Sequence, residues 1–241
     1  MDTKNILYEF FRDESFFLSR KKRLIVLLGS FADFDSFEYA QQLSCYSNKL
    51  AKHSVDFILI GIGSEKSKEL FCRFNKIDMQ NVIAVSNAEL HEKLKLNTGL
   101  VTPLPPFINL LIMCAGINSR GTLKEVLRGY FGDKNAKSVF GSEEKINIGA
   151  FFSFKGKMFD TFSKKQILRP FELATRRLLN MIEILSNWNT YVPDSSFLTQ
   201  RGATILLNEN DEILYKFISE SLLGYSCKMS SPLSFLDGFL N

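Results

Sequence analysis

The chain has 241 residues, of which 45% are apolar and 23% are charged, a composition typical of an ordinary globular protein. Its formal net charge of +4 is too small to indicate a nucleic-acid partner, which usually shows a strong basic bias on one face. The sequence shows neither a secretory signal nor an apolar run long enough to span a bilayer. We therefore expect no nucleic-acid partner, no transmembrane segment and an intracellular location.

The cysteines and histidines predict neither a metal site nor a disulfide framework. The four cysteines lie far apart, with no C-x-x-C motif and no neighbouring histidine, at Cys45, Cys72, Cys114 and Cys227. This usage is typical of a reducing compartment. His53 and His91 fall on two different predicted helices, and Gly61-Ile62-Gly63 lacks the third glycine of a dinucleotide-binding fingerprint. We expect no cofactor.

The first half of the chain alternates predicted helices and strands. The continuous apolar run at 24–29 is typical of a strand covered on both faces, and we expect the basic residues 20–23 before it to be solvated. Asp35 and Glu38 have the spacing of a capping-box variant at a helix start. In chain order we predict a helix over 4–19, a strand over 24–29, a helix over 35–50, a strand over 55–63, a helix over 64–77 capped by Ser64, a strand over 82–85 and a helix over 87–96 opened by Asn87. This alternation predicts a parallel sheet with right-handed crossovers.

The second half begins with three prolines, at 103, 105 and 106. After them we predict helices over 106–114, 119–130 and 170–188, an irregular excursion over 131–166, a β-hairpin of strands 203–207 and 212–217, and a short helix over 232–240. The whole chain then reads as one α/β domain, 1–241. It comprises an N-terminal helix and basic segment (1–22), a mainly helical insertion (97–198) and a closing hairpin with a C-terminal helix (199–241).

The order of these elements is that of the thioredoxin fold. Within it the chain resembles the peroxiredoxin-like branch of the AhpC/TSA family in four segments, 24–43, 55–64, 82–96 and 199–204, and more loosely over 123–130. The resemblance implies a central mixed sheet flanked by helices. It also implies antioxidant redox chemistry at the start of the helix that follows the first strand.

The resemblance places the family's active-site positions on four residues of this chain. Ser30 fills the hydroxyl position, Asp33 stands where the peroxidatic cysteine is expected, and Ser36 stands where the branch has its second cysteine. Arg201 matches the arginine that helps to activate the thiolate, whereas Val26 replaces the usual upstream proline. Neither a carboxylate nor a hydroxyl can form a sulfenic acid. Asp33 is therefore predicted either to be a stable anion beside the arginine or to serve only as a helix cap.

Three functions are compatible with these residues. The first is a non-catalytic binding or assembly protein that docks a protein partner through the insertion 97–198. The second is a thiol-dependent peroxidase or oxidoreductase that uses a displaced cysteine, Cys72 or Cys114. The third binds a small polar ligand in a pocket formed by Asp33 and Arg201. The resemblance implies cytoplasm or plastid stroma as the location and leaves the oligomeric state open.

Overall fold

A mixed five-stranded sheet forms the centre of the molecule. The computed structural model describes residues 2–12, 21–149, 152–161 and 167–240. The elements of the first half are α1 (Thr3–Phe10), β1 (Lys22–Ser30), α2 (Phe34–Lys52), β2 (Val55–Ile62), α3 (Glu65–Asn75), β3 (Val82–Val85) and α4 (Glu89–Lys93). Those of the second half are α5 (Pro106–Cys114), α6 (Thr122–Phe131), β4 (Asp133–Lys137), β5 (Lys145–Ile148), β6 (Phe152–Lys155), β7 (Ile167–Leu168), α7 (Glu172–Ser186), α8 (Trp188–Tyr191), β8 (Ala203–Leu207) and β9 (Ile213–Ile218).

The strands of the central sheet lie in the order β3-β2-β1-β8-β9. β1, β2 and β3 run parallel, whereas β8 pairs antiparallel with both β1 and β9. The predicted α/β class, with a mixed sheet, flanking helices and a closing hairpin, is confirmed. Among the described helices, none has both the length and the apolar character that a bilayer crossing needs.

Side chains of β1 alternate between two hydrophobic cores. Leu24 and Val26 pack on the face covered by α2 and α3, whereas Ile25 and Leu27 pack on the face covered by α1 and α4. All four are at most 2% exposed, so the strand is covered on both faces, as its continuous apolar run predicts. Burying one such side chain stabilises the folded state by about 1.5–3 kcal/mol. With four of them, β1 is a major contributor to the stability of the domain.

His91 belongs to α4, one of the two helices that cover the second of these faces, and it couples folding to pH. Its side chain is fully buried, its Nε2 atom donates to the carbonyl oxygen of Leu28 at 2.7 Å, and within the described ranges its Nδ1 atom has no partner. Burial lowers the pKa of His91 below its ordinary value, against the opposing effect of that hydrogen bond. Since the folded state then resists protonation more than the unfolded state does, stability should fall as the pH drops below about 6.5.

Urea unfolding of wild type and His91→Gln at pH 7.5 and pH 5.5 tests this coupling. The glutamine amide can still donate to Leu28 but does not titrate. We expect the wild type to lose more stability than the variant over that interval. Equal losses would mean that His91 does not titrate on unfolding.

Several element boundaries differ from the sequence prediction. α1 ends at Phe10 rather than at residue 19, and residues 13–19 of that prediction lie outside the described residues. α4 covers only Glu89–Lys93, and Asn87 caps the backbone N–H of Glu89 from just before it. The predicted helix over 170–188 is two helices that meet at Asn187, and the C-terminal helix is a short 3-10 helix, Ser234–Gly238.

The basic segment is not uniformly solvated, contrary to the prediction. β1 begins at Lys22, so that Arg23 lies within the strand and is 1% exposed. Its guanidinium contacts the Asp211 carboxylate and donates to the carbonyl oxygen of Asn208 at 3.2 Å. The turn of the closing hairpin supplies both partners, which compensates the burial of this charge.

The capping-box prediction at Asp35 and Glu38 is wrong. α2 starts at Phe34 and has no side-chain cap. Asp35 instead accepts from the backbone N–H of Leu223 at 2.6 Å, and Glu38 forms an ion pair with Arg177 of α7. Both carboxylates therefore bind partners on distant segments of the chain rather than capping their own helix. At α3, in contrast, Ser64 caps the helix as predicted, accepting from the Ser67 N–H at 3.1 Å.

The excursion over 131–166, predicted to be irregular, contains short strands in its described part. β4 pairs antiparallel with β7, and β5 pairs antiparallel with β6.

The two ends of the segment 97–198 lie side by side, because the Arg201 N–H donates to the carbonyl oxygen of Asn97 at 2.8 Å. The intervening residues therefore leave the sheet and return to it at the same place.

Candidate functional site

The loop between β1 and α2 lies directly against the chain that enters β8. A Cβ atom on Gly29 would come within 2.1 Å of the carbonyl oxygen of Gln200, so only glycine permits this approach. The Asp33 N–H donates to the carbonyl oxygen of Ser30 at 3.2 Å, which closes a tight turn. The Asp33 carbonyl oxygen then accepts from Phe37, the first helical hydrogen bond of α2. This geometry brings the Asp33 side chain to Arg201.

Arg201 lies between two buried carboxyl groups. Its Nη1 atom is 3.4 Å from both carboxylate oxygens of Asp33 and 3.4 Å from Oδ2 of Asp35. Its Nε atom donates to the carbonyl oxygen of Thr199 at 2.9 Å. The three side chains are at most 7% exposed. Because these contacts are longer than the usual charge-assisted hydrogen bond of about 2.8 Å, the pairing is mainly electrostatic.

The cluster carries two carboxyl groups for one guanidinium. Burial raises the pKa of Asp33 above its ordinary value, although Arg201 opposes the shift. The pKa of Asp35 lies well above its ordinary value, first because of burial and second because of the neighbouring Asp33. The prediction of a stable Asp33 anion omitted desolvation and the second carboxyl group. Together the pair holds a proton more readily than exposed carboxyl groups do.

Asp33, Asp35 and Ser36 line one small cavity between α2 and β8. Its volume of about 20 Å³ has room for about one water molecule. Ser36 is 1% exposed, and its Oγ atom has no hydrogen-bond partner among the described residues. Ser30 plays a different part, since its Oγ atom accepts from the backbone N–H of Ala32 at 3.2 Å within the turn. The structure thus brings Asp33, Ser36 and Arg201 together and uses Ser30 to shape the loop.

Sequence reasoning missed Asp35 as part of this cluster. Its spacing to Glu38 matched a capping pattern, and its partners are remote in sequence. A signal was nevertheless available, because a helix has one N-cap residue, so Asp33 and Asp35 could not both fill that position.

The displaced cysteines lie in environments that weaken them as nucleophiles. Burial raises the pKa of Cys72 on α3 to about 11. Burial also raises the pKa of Cys114 at the end of α5, where Arg201 opposes the shift and the two aspartates add to it. Reactive cysteines require a lowered pKa, since the thiolate is the nucleophile. Cys45 and Cys227 are exposed. Among the described residues, no three His, Cys, Asp or Glu side chains group as a metal site would need.

Comparison with known proteins identifies the family. A family model described as AhpC/TSA antioxidant enzyme matches residues 42–221, about three quarters of the chain. The matched part includes Arg201 and begins after the loop that carries Asp33 and Ser36. No curated protein and no solved structure matches the chain. With its mixed sheet, flanking helices and closing hairpin, the chain belongs to the AhpC/TSA family.

Proposed function

We propose that this member of the AhpC/TSA family does not reduce peroxides at the position its relatives use and acts instead as a binding or assembly protein. The observation that carries the proposal is the buried Asp33–Arg201 pair. In this arrangement a carboxyl group lies beside Arg201, at the position where the resemblance to the family expects the peroxidatic thiolate. Peroxide reduction transfers an oxygen atom to sulfur, forming a sulfenic acid that a second thiol then reduces, and a carboxylate cannot take either step.

The size of the cavity argues against a polar ligand at this cluster. A volume of about 20 Å³ accommodates about one water molecule, whereas small-molecule sites usually measure about 300–1,000 Å³. The buried charges instead hold the loop after β1 against the chain entering β8. We infer that the cluster retained a structural role, and that the segment 97–198 carries the binding function.

The alternative enzyme function would use Cys114, because Arg201 acts on it electrostatically. Its raised pKa argues against that use at neutral pH. Oxidation by hydroperoxide, followed by mass spectrometry of the reduced protein, separates the two proposals. We expect each of the four cysteines to oxidise no faster than a free thiol. Rapid stoichiometric oxidation at Cys72 or Cys114, abolished in Cys72→Ser or Cys114→Ser, would establish the enzyme function instead.

The variant Asp33→Cys tests the assignment of the position itself. A thiol placed at residue 33 would replace a carboxyl group whose oxygens lie 3.4 Å from Nη1 of Arg201, a direct contact that Cys114 does not make among the described residues, and this guanidinium favours the thiolate. We expect it to oxidise faster than the exposed Cys45 of the same molecule, which serves as an internal control. A rate no higher than that of Cys45 would show that residue 33 does not occupy the reactive position.

A further inference from the structure

Helix α5 leaves an apolar surface uncovered. The segment Pro106–Cys114 contains no charged residue. It buries Leu110 and Met113 against Leu222. On its other side, four apolar side chains are 38–48% exposed, namely Leu104 just before the helix and Phe107, Ile108 and Leu111 within it. A helix that is apolar on both sides is expected to be covered on both sides.

Helix α6 packs beside α5 and carries a second exposed apolar side, and its Leu123 lies next to Gly116, just after the end of α5. It buries Thr122, Glu125 and Gly129. Its opposite side presents four residues at helical spacing that are 48–74% exposed, Leu123, Leu127, Tyr130 and Phe131. The Thr122 hydroxyl donates to the carbonyl oxygen of Leu222 at 2.9 Å, so α5 and α6 pack next to each other on the same residue. We call the eight exposed side chains of these two helices the α5–α6 face.

The exposed area of the α5–α6 face is comparable to the largest apolar patches of soluble monomers. Its three aromatic side chains offer about 150–250 Å² each. With the five leucine and isoleucine side chains, all about half exposed, the total is on the order of several hundred Å². The largest apolar patch of a typical monomer is about 300–600 Å² and is often functional.

The exposed charges on the stretch that carries the face all have one sign, whereas exposed carboxylates lie on adjoining segments at Asp194 and Glu220. Between residues 97 and 137 the exposed ionisable side chains are Arg120, Lys124, Lys134 and Lys137. The two carboxylates of that stretch both pair with Arg128, since Glu125 lies 2.7 Å and Asp133 3.6 Å from its guanidinium. An apolar surface with aromatic residues and a basic rim has the chemistry of a segment that lies in a membrane interface.

We propose that the α5–α6 face binds the surface of an anionic membrane, with the helix axes in the plane of the interface. Anionic headgroups complement the four basic side chains of the rim, while the apolar side chains enter the boundary between headgroups and acyl chains. A second copy of the chain is a poorer occupant, because a two-fold contact centred on α6 would bring the basic side chains of both copies together. This inference rests on the binding role proposed for the segment 97–198, but not on the absence of peroxidase chemistry.

The single tryptophan provides a direct readout. The ring of Trp188 lies at the edge of the face, 6.1 Å from the ring of Phe107 between centroids. The full-length protein is mixed with vesicles of phosphatidylcholine alone, or of phosphatidylcholine and phosphatidylglycerol in equal parts. We expect sedimentation with the anionic vesicles only, a blue shift of Trp188 emission on binding, and loss of both at high salt.

Matched variants locate the contact. Lys124→Glu/Lys134→Glu should weaken binding at least about tenfold, whereas Lys66→Glu/Lys76→Glu, on exposed lysines of the α3 region, should leave it within about twofold. Phe131→Ser should weaken it about tenfold, and Phe152→Ser, at a similarly exposed phenylalanine of β6, should not. Circular dichroism confirms that each variant is folded.

Two results would overturn the proposal. One is the absence of binding to anionic vesicles at low salt, most directly if sedimentation velocity then shows a dimer that Phe131→Ser dissociates. The other is binding that the control substitutions weaken as much as those on the face. Neither result bears on thiol oxidation, so the peroxidase question is decided separately.

Discussion

Arg201→Met should lower the free energy of unfolding by about 3–5 kcal/mol at neutral pH, since removing one member of a buried ionic cluster leaves its partners uncompensated. Asp33 and Asp35 are both buried, and the Arg201 guanidinium lies within 3.4 Å of each carboxyl group. Methionine has a similar stem but no charge, so the packing of the side chain is largely kept. Urea unfolding monitored by circular dichroism measures the loss. The exposed Arg120→Met is the matched control, with an expected change within about 0.5 kcal/mol.

The pH dependence of this loss identifies its origin. The pKa values of Asp33 and Asp35 are already raised in the folded protein, and removal of Arg201 raises them further. The unfolded carboxyl groups titrate near about 3.9, so the folded variant binds protons at a higher pH than the unfolded chain does. Stability of Arg201→Met should therefore increase relative to wild type as the pH falls from 7 to 5. A loss that is the same at both values would show that ion pairing is not its cause.

A second substitution makes the test specific to the cluster. In Arg201→Met/Asp33→Asn one of the two uncompensated charges is gone, so part of the lost stability should return at neutral pH. In the wild-type background Asp33→Asn should cost little, because Asp35 alone then pairs with Arg201. If the double variant is as unstable as the sum of the two single variants, Asp33 and Arg201 are not coupled.

The sheet was predictable from sequence because its strands are continuous apolar runs. β1 and β2 are largely buried, and short apolar runs of this length between helical patterns are typical of central parallel strands. The strands of the excursion gave no comparable signal. β7 has two residues, and β4 (Asp133–Lys137) has one buried side chain among five. Strands that short depend on tertiary contacts rather than on a hydrophobic period.

The site was only half predictable, because its contacts join distant parts of the chain. The resemblance to the family predicted that Asp33 would lie near Arg201, and the two side chains do meet in the structure. The sequence pattern predicts a helix cap at Asp35. In the structure Asp35 instead accepts from the backbone N–H of Leu223, 188 residues further along. Local sequence spacing cannot reveal a hydrogen bond to a donor that far along the chain. For the same reason, Arg23 was expected in solvent and lies buried against Asp211.

Glu172→Ala should also lower the free energy of unfolding by about 3–5 kcal/mol, and the loss should concentrate in the excursion that the sequence left unassigned. The Glu172 carboxylate is fully buried. It accepts from the backbone N–H groups of Val139, Phe140 and Arg169 at 2.7–2.9 Å. It also pairs with the Arg169 guanidinium, whose Nη2 atom lies 2.6 Å from Oε1. One side chain therefore holds the start of α7, the loop after β4 and the strand β7 together.

Hydrogen exchange separates this local role from a global one. In Glu172→Ala the amides of Val139, Phe140 and Arg169 lose their acceptor, so they should exchange much faster while the β1 amides keep their protection. Glu172→Gln keeps one carbonyl acceptor and should lose less stability, and Glu143→Ala, at an exposed glutamate paired with Lys155, should change little. Unchanged protection at Val139 and Phe140 would mean that other contacts fix the loop. Because Arg169 also donates to the Phe140 carbonyl oxygen at 2.7 Å, the same substitution should loosen that contact as well. We therefore expect the excursion to open as one unit rather than strand by strand.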